Sequence, residues 1–243
     1  MQKGGFPEHL VLTGATSGLG RALALQYAAS GRLLSLTGRD GPRLLEVSNA
    51  CRALGANVET SQLDVTDAEA MAAWLHSRDS IAPVDLLIAN AGIGGAAALA
   101  PRGGEDGAQA RALLAVNTLG LVNTVTPLLP SMRARRNGHL VLVGSLQGLI
   151  GLPHAPIYSA SKAAVRIYAD GLRRLVQADG LRVTTVLPGF IDTPMSQSLG
   201  MARPFLWPAE KAARKIAQDA ARGARYSIFP LPLRVAVGLG RVM

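Results

Sequence analysis

The sequence predicts an α/β fold: one doubly wound parallel sheet of about seven strands with helices on both faces. Three observations predict it. Short runs rich in Leu, Val and Ile alternate with Ala/Leu/Arg stretches of helical length from Leu10 to Phe229. Those runs are continuously apolar, as strands covered on both faces are. Glycine- and asparagine-bearing turns follow several of them, where an open parallel sheet places its ligand crevice.

Taken in order, Leu10-Val11-Leu12 is the first strand, ending at Thr13-Gly14, and Leu19 to Ala29 is a helix stopped by Ser30-Gly31. Leu33 to Thr37 is the second strand and Pro42 to Leu54 the second helix, closed by Gly55. Val58 to Leu63 is a third strand, and Asp67 to His76 a helix with acidic residues in its first turn. Asp85 to Ala89 is the fourth strand. Gly92 to Gly107, rich in Gly and Ala, reads as a loop with at most one helical turn. Gln109 to Arg135 is a long helix that Pro127 kinks or divides. His139 to Val143 is the fifth strand, Ala155 to Ala178 a second long helix, and Arg182 to Leu187 the sixth strand. Pro188 to Pro208 is irregular, Ala209 to Ala221 helical, and Tyr226 to Phe229 the last strand. No linker, repeat or low-complexity tract interrupts this order, so residues 1–243 read as one domain.

Of the 243 residues 49% are hydrophobic but only 4% aromatic, so the core must come from Leu, Val, Ala and Ile. Cys51 is the one cysteine, which excludes a disulfide within the chain. It has no partner for zinc and reads as a small half-buried side chain on a helix; no metal is expected. The polar start, Met1 to His9, leads straight into an apolar strand and predicts no signal peptide. With the single cysteine this points to the cytoplasm.

Lys+Arg exceed Asp+Glu by 25 − 16 = +9, a balance that suits nucleic acid or an acidic membrane. The basic residues are mostly single arginines along helices, however. The densest cluster, Arg133, Arg135 and Arg136, has no interleaved aromatics to stack on bases. It reads as a solvated helix end whose charges oppose the dipole, and no nucleic-acid partner is expected.

Candidate chemistry gathers behind the strands. Thr13-Gly14-Ala15-Thr16-Ser17-Gly18-Leu19-Gly20 follows the first strand. Glycines at this spacing allow a tight turn, close approach of backbone to a pyrophosphate, and close packing of the next helix. The second strand ends Leu36-Thr37-Gly38-Arg39-Asp40. Gly38 stands where an acid would hold an NAD ribose, and the Arg39 guanidinium suits a 2′-phosphate, so NADP(H) is expected over NAD(H). Asp40 reads as the cap of the helix before Pro42.

Tyr158 and Lys162 lie four residues apart on a predicted helix and share a face. A free phenol has a pKa of about 10, and a nearby ammonium stabilises the phenolate. Such a tyrosine can give or take a hydroxyl proton while a nicotinamide cofactor takes or gives hydride. Ser145 closes the fifth strand, where its hydroxyl can hold the substrate oxygen. Lys162 is one of only a few lysines, with Lys3, Lys211 and Lys215. His154 lies near Tyr158 but has no partnered nucleophile and reads as lining the substrate entrance or facing water.

These segments resemble the short-chain dehydrogenase/reductase family from Leu10 to about Phe229. The glycine turn is joined by Asp64-Val65, Asn90-Ala91-Gly92, Asn117 in the long helix, Tyr158-Ser159-Ala160-Ser161-Lys162, and Pro188-Gly189 followed by Thr193. The resemblance implies a Rossmann-like fold that binds cofactor through Gly14, Thr16, Ser17, Gly18, Leu19, Gly20, Arg39, Asp64, Val65, Asn90, Ala91, Gly92, Tyr158, Lys162, Pro188, Gly189, Ile191 and Thr193. It implies a catalytic set of Asn117, Ser145, Tyr158 and Lys162. In that set Lys162 reaches the nicotinamide ribose, Asn117 holds a water linking Lys162 to solvent, and Thr193 contacts the carboxamide. Also implied is a homodimer or homotetramer built through the two long helices. Ala89 departs from the pattern, since many relatives carry a second Asn there; that position is expected to be structural.

Specificity is expected in Gly94 to Ala100, Gln147 to Ile157 and Ile191 to Trp207, within a substrate-loop region of about 188–208. Leu146, Leu149, Ile150, Met195, Leu199, Met201, Phe205, Leu206 and Trp207 make an apolar pocket for a small carbonyl or alcohol. The apolar tail, about 230–243, is too short and too broken by prolines to span a bilayer. It reads as a subunit contact or pocket cover, with peripheral membrane contact through Arg234 and Arg241 as the alternative. The function expected is reversible alcohol–carbonyl hydride transfer. A non-catalytic NADP-binding redox sensor or assembly subunit is the alternative, and it would not need the Tyr158–Lys162 pair.

Overall fold

The computed structural model describes residues 7–94, 105–233 and 235. Its strands are β1 (His9–Thr13), β2 (Leu33–Gly38), β3 (Asn57–Gln62), β4 (Leu86–Ala89), β5 (His139–Val143), β6 (Arg182–Pro188), β7 (Ile191–Asp192), β8 (Trp207–Pro208) and β9 (Tyr226–Phe229). Seven form one sheet in the order β3-β2-β1-β4-β5-β6-β9, every pair parallel, and β7 pairs with β8 apart from it. The expected Rossmann-like doubly wound sheet is therefore present. Leu10 stands between Leu34 and Leu86 in the central register.

The pleat sorts the side chains into two cores. Leu10, Leu12, Leu86 and Ile88 face one layer, with Leu23 of α1 (Gly18–Tyr27), Val47 of α2 (Gly41–Ala53) and Ile216 of α9 (Ala209–Ala221). Val11, Leu87, Leu140 and Leu142 face the other, with Met71 and Leu75 of α3 (Ala68–Ile81). That second layer also takes Val165 and Leu172 of α7 (Pro156–Leu175). Asp40 and Asp67 cap α2 and α3 by accepting from the amides of Arg43 and Ala70, at 3.0 Å each.

Several sequence expectations are corrected. The long helix from Gln109 divides into α4 (Gly107–Leu114), a π turn (Ala115–Leu119), α5 (Gly120–Val125), a 3-10 turn at Pro127 and α6 (Leu129–Ala134). Pro127 breaks it as expected, but the π turn is new. There the Gly120 amide reaches the Ala115 carbonyl, and a Cβ at Gly120 would lie 2.5 Å from Val65. By composition Gly107–Ala134 is long and apolar enough to cross a membrane. Here it packs Leu121, Val125, Leu128 and Met132 into the core. Pro188 to Pro208 holds β7, β8 and α8 (Pro194–Gln197) rather than irregular chain alone. Cys51 is fully buried, and desolvation pushes its thiol up to about 11.

The arginine cluster is exposed at Arg133 and Arg136, as a solvated end is, but it is tied down by partners. Arg135 pairs with Asp79 at 2.9 Å and donates to the Val84 carbonyl, and Arg133 meets Asp179 at 2.6 Å. Both carboxylates come from segments remote in sequence. The expected loop at Gly92 to Gly107 is described only at its ends, because residues 95–104 lie outside the described set.

Two histidines start strands and are buried. His9 Nδ1 donates to the Ala82 carbonyl at 2.8 Å, leaving Nε2 to accept from the Ser35 hydroxyl. Thr184 spends its proton on the Ala224 carbonyl, so His139 Nε2 carries a proton and donates to Thr184 at 2.8 Å. Desolvation holds both imidazoles below their usual range and pushes His139 down to about 3. Above about pH 6.5 both states of the protein hold neutral histidine. As pH falls below that, the unfolded chain takes up a proton that the folded chain refuses, so stability is lost. Between about pH 7 and pH 4.5, His139 alone should account for roughly 2–3 kcal/mol of that loss. His139→Gln should remove this share in urea unfolding at the two pH values. An undiminished acid sensitivity would contradict it.

Candidate active site

The chain steps outward from β1 to β2 and β3, then returns through α3 to β4 on the other side of β1, so the strand order reverses and the ends part between β1 and β4. Asn90, just after β4, bridges the parting. Its Nδ2 donates to the carbonyls of Thr13 and Gly14 at 3.1 and 3.2 Å, while Thr13 Oγ1 accepts from the amides of Asn90 and Ala91. The glycine turn fits against this tie. Gly14 has a φ of +68°, and a Cβ there would lie 2.8 Å from the Ala91 backbone; a Cβ on Gly20 would lie 1.9 Å from the Gly14 carbonyl.

A cavity of about 620 Å³ runs along the carboxyl ends of the strands. The structure brings to it Gly14, Thr16, Ser17, Gly18, Leu19, Gly20, Arg39, Asp64, Val65, Asn90, Ala91, Gly92, Ser145, Tyr158, Lys162, Pro188, Gly189, Ile191 and Thr193. Asn117 stands behind this wall, 1% exposed in the π turn. Its amide is committed to Ile93, accepting from the Ile93 amide at 2.8 Å and donating to its carbonyl at 3.0 Å, and it reaches Ser161 Oγ at 3.2 Å. A Cβ on Gly92 would sit 3.1 Å from Asn117 Oδ1 and 3.3 Å from Lys162 Nζ, so the bare glycine backbone separates the two.

At the β2 end, the Arg39 guanidinium is largely exposed and 3.7 Å from Asp64. Asp40 is occupied as the α2 cap and lies 3.4 Å from Arg43 Nε. Arg43, in the first turn of α2, also lines the cavity and was not singled out by sequence.

At the β5 end, Ser145 Oγ accepts from the Gln147 amide at 3.1 Å and is hydrogen-bonded with Tyr158. Lys162 is 5% exposed, its Nζ donating to the Val143 carbonyl at 3.2 Å and lying 5.9 Å from the Tyr158 ring centre. Desolvation pushes the Lys162 ammonium down to about 8. Desolvation also raises the Tyr158 phenol, with the Ser145 hydrogen bond opposing it. This corrects the expectation that the ammonium sets the phenol: burial dominates both groups.

Of the expected apolar residues, Leu146, Ile150, Met195, Leu199 and Met201 line the cavity. Leu149, Phe205, Leu206 and Trp207 are not part of its wall. Phe205 and Leu206 are exposed, and Trp207 stacks on Phe229 at 4.8 Å. Leu152 and Leu233 line it instead, as does His154. Leu233 belongs to the tail, whose residues 234 and 236–243 lie outside the described set.

Residues 8–203 match the family described as short chain dehydrogenase. A protein of Myxococcus xanthus called an uncharacterized oxidoreductase is 35% identical over 234 residues, 96% of this chain and 91% of that one. A solved short-chain dehydrogenase from Sphingobium yanoikuyae in complex with NADPH is 26% identical with a TM-score of 0.83, covering 96% of this chain and 93% of that one. A Burkholderia phymatum short chain dehydrogenase/reductase in complex with NAD has a TM-score of 0.87 at 24% identity, covering 100% and 95%, a likeness of fold alone. With the glycine turn, the Asn90 tie and the Tyr158–Lys162 pair all inside the matched segment, the chain belongs to the short-chain dehydrogenase/reductase family.

Proposed function

We propose that the protein is an NADP(H)-dependent oxidoreductase that interconverts an alcohol and a ketone or aldehyde, with Tyr158 as general acid and base. The observation that carries this reading is the meeting of Tyr158, Ser145 and Lys162 in one cavity that ends at Arg39 and Arg43. A bound nicotinamide dinucleotide supplies or accepts the hydride. The cavity fits such a group: its glycine turn brings bare backbone to the wall, and its far end carries the Arg39 and Arg43 guanidiniums beside Asp64 and Asp40, with no acid at Gly38.

The residues divide the remaining work. Ser145 Oγ accepts from the Gln147 amide and keeps its own proton for the Tyr158 phenol and for the substrate oxygen that meets it. Tyr158, kept protonated by burial, donates to that oxygen in reduction and takes the proton back in oxidation. Lys162 holds the cation near the phenol where proton transfer leaves negative charge. Asn117 holds Ile93 and so shapes the wall beside Gly92. The apolar side chains Leu146, Ile150, Leu152, Met201 and Leu233 favour an apolar carbonyl compound.

The same reading takes 1–243 as one domain in the cytoplasm, with 188–208 as the substrate loop and the tail as a pocket wall through Leu233. It takes the chain as a homodimer or homotetramer, which would cover Leu114, Leu119 and Ile167, exposed on the two long helical stretches. The redox-sensor alternative gains no observation of its own.

Screening NADPH oxidation against ketones, aldehydes, quinones and 3-oxoacyl thioesters tests the reading, which fails if nothing is reduced. NADPH should bind at least about tenfold tighter than NADH, a gap of about 1.4 kcal/mol. Arg39→Asp should narrow or reverse it, and equal affinities in fluorescence titration would remove NADP preference. Tyr158→Phe should cut turnover by at least ~10²-fold while NADPH binding survives; a parental rate would dismiss Tyr158 as the acid.

Lys162 yields a further prediction, about stability. Its folded pKa lies below its unfolded value, so burying the cation penalises folding fully below about pH 8. The penalty fades as pH rises toward the ordinary lysine range of about 10.4. Lys162→Met should therefore abolish turnover yet stabilise the protein near pH 7 by up to about 3 kcal/mol, less what the Val143 carbonyl loses. The gain should vanish near pH 10 in chemical unfolding. A destabilised variant at pH 7 would refute this account.

A further inference from the structure

The first turn of α7 carries Tyr158, and nothing local caps it. Ala155 at its N-cap has no side-chain hydrogen bond, and Pro156 has no amide proton. The next two amides are nevertheless occupied. Glu105, which precedes α4, accepts from the Tyr158 amide at 2.8 Å through Oε1 and from the Ile157 amide at 3.1 Å through Oε2. Its neighbour Asp106 turns the other way and caps α4 with Gln109 as partner, accepting from the amides of Ala108 and Gln109 at 2.8 Å each. Two successive acids therefore secure two different helices.

The carbonyl of Tyr158 is held as well. Ser161 Oγ donates to it at 2.8 Å and accepts from Asn117 Nδ2, whose amide also fastens Ile93. Glu105 and Ser161, the latter held in turn by Asn117, thus fix the backbone on either side of the phenol. The chain between Ile93 and Glu105 is tied to this network at both of its ends. A local Ser or Asp at position 155 would cap α7 at less entropic cost than a carboxylate 53 residues away in sequence. The long-range contact does something that a local cap would not: it ties the Tyr158 backbone to Glu105 at the start of α4.

We propose that Glu105 is a positioning residue for the reaction centre, its carboxylate holding the Tyr158 backbone so that the phenol meets Ser145 and the substrate oxygen. The proposal rests on Tyr158 being the proton donor. A displacement of the phenol by a fraction of an ångström costs turnover without touching the cofactor's own contacts.

The test compares Glu105→Ala and Glu105→Gln with Asp106→Ala, which removes a helix cap of similar worth beside the same segment. Tyrosine labelled with 13C at Cζ gives a Tyr158 resonance assigned by its loss in Tyr158→Phe. That resonance should move in both Glu105 variants and stay in place in Asp106→Ala. With the best carbonyl from the panel, kcat should fall roughly tenfold in Glu105→Ala while the NADPH Kd stays within twofold. Glu105→Gln, which keeps one acceptor oxygen, should recover part of that loss and serves if the alanine variant does not fold. An unmoved Tyr158 resonance, or an equal displacement and kcat loss in Asp106→Ala, would overturn the proposal. If the wild type reduces no carbonyl, the reductase reading fails alone, and the resonance still decides whether Glu105 sets Tyr158.

Discussion

Two central strands of a parallel sheet must part at their carboxyl ends before the fold has a crevice, and Asn90 spans that parting. Its amide satisfies the carbonyls of Thr13 and Gly14, while the Thr13 hydroxyl satisfies the amides of Asn90 and Ala91. Without the tie, part-buried backbone groups beside the cavity would lose their partners, each at up to about 1–3 kcal/mol. The glycine turn is shaped to the same place, since Gly14 and Gly20 lie too close to Ala91 and to each other to accept side chains. The course of α1 and the floor of the cavity both follow from that fit.

The opposite end of the cavity runs on a different economy. Lys162, 5% exposed and donating to the Val143 carbonyl, is a buried cation with no carboxylate paired to it among the described residues. Tyr158 beside it is likewise desolvated. Burying Lys162 as a cation opposes folding, the kind of perturbed group that collects where proteins bind or react. The stability needed to hold them comes from the two cores on either side of the sheet, built from Leu, Val, Ile and Ala with few aromatics.

The sheet and most of the site were legible because both are written in short-range patterns. A buried strand is a run of a few apolar residues, and its ligand turn follows within the next several positions. Leu10 to Gly20 carries strand, turn and helix start in one stretch, and Tyr158 with Lys162 shares a face by helical spacing alone. The misreadings have the opposite character. The π turn at Asn117 ends at Gly120, which sits so close to Val65 that a Cβ would lie 2.5 Å from it, two residues joined only by packing. Arg135 looked like a solvated helix end until Asp79 arrived from α3. Phe205 and Leu206 are as apolar as Leu152 and Leu233, yet only the latter two line the cavity.

By itself, then, the sequence determined the order of strands and helices, the glycine turn, the chemistry placed after each strand and the missing acid at Gly38. Each depends on residue type within a span of a few positions, which periodicity and turn chemistry report directly. Tertiary structure alone decided that burial governs the Lys162 and Tyr158 protons, that Arg43 joins Arg39, and that Glu105 reaches across to the Tyr158 amide. Desolvation and long-range hydrogen bonds depend on which segments are brought together in space, and no local pattern in the chain carries that information.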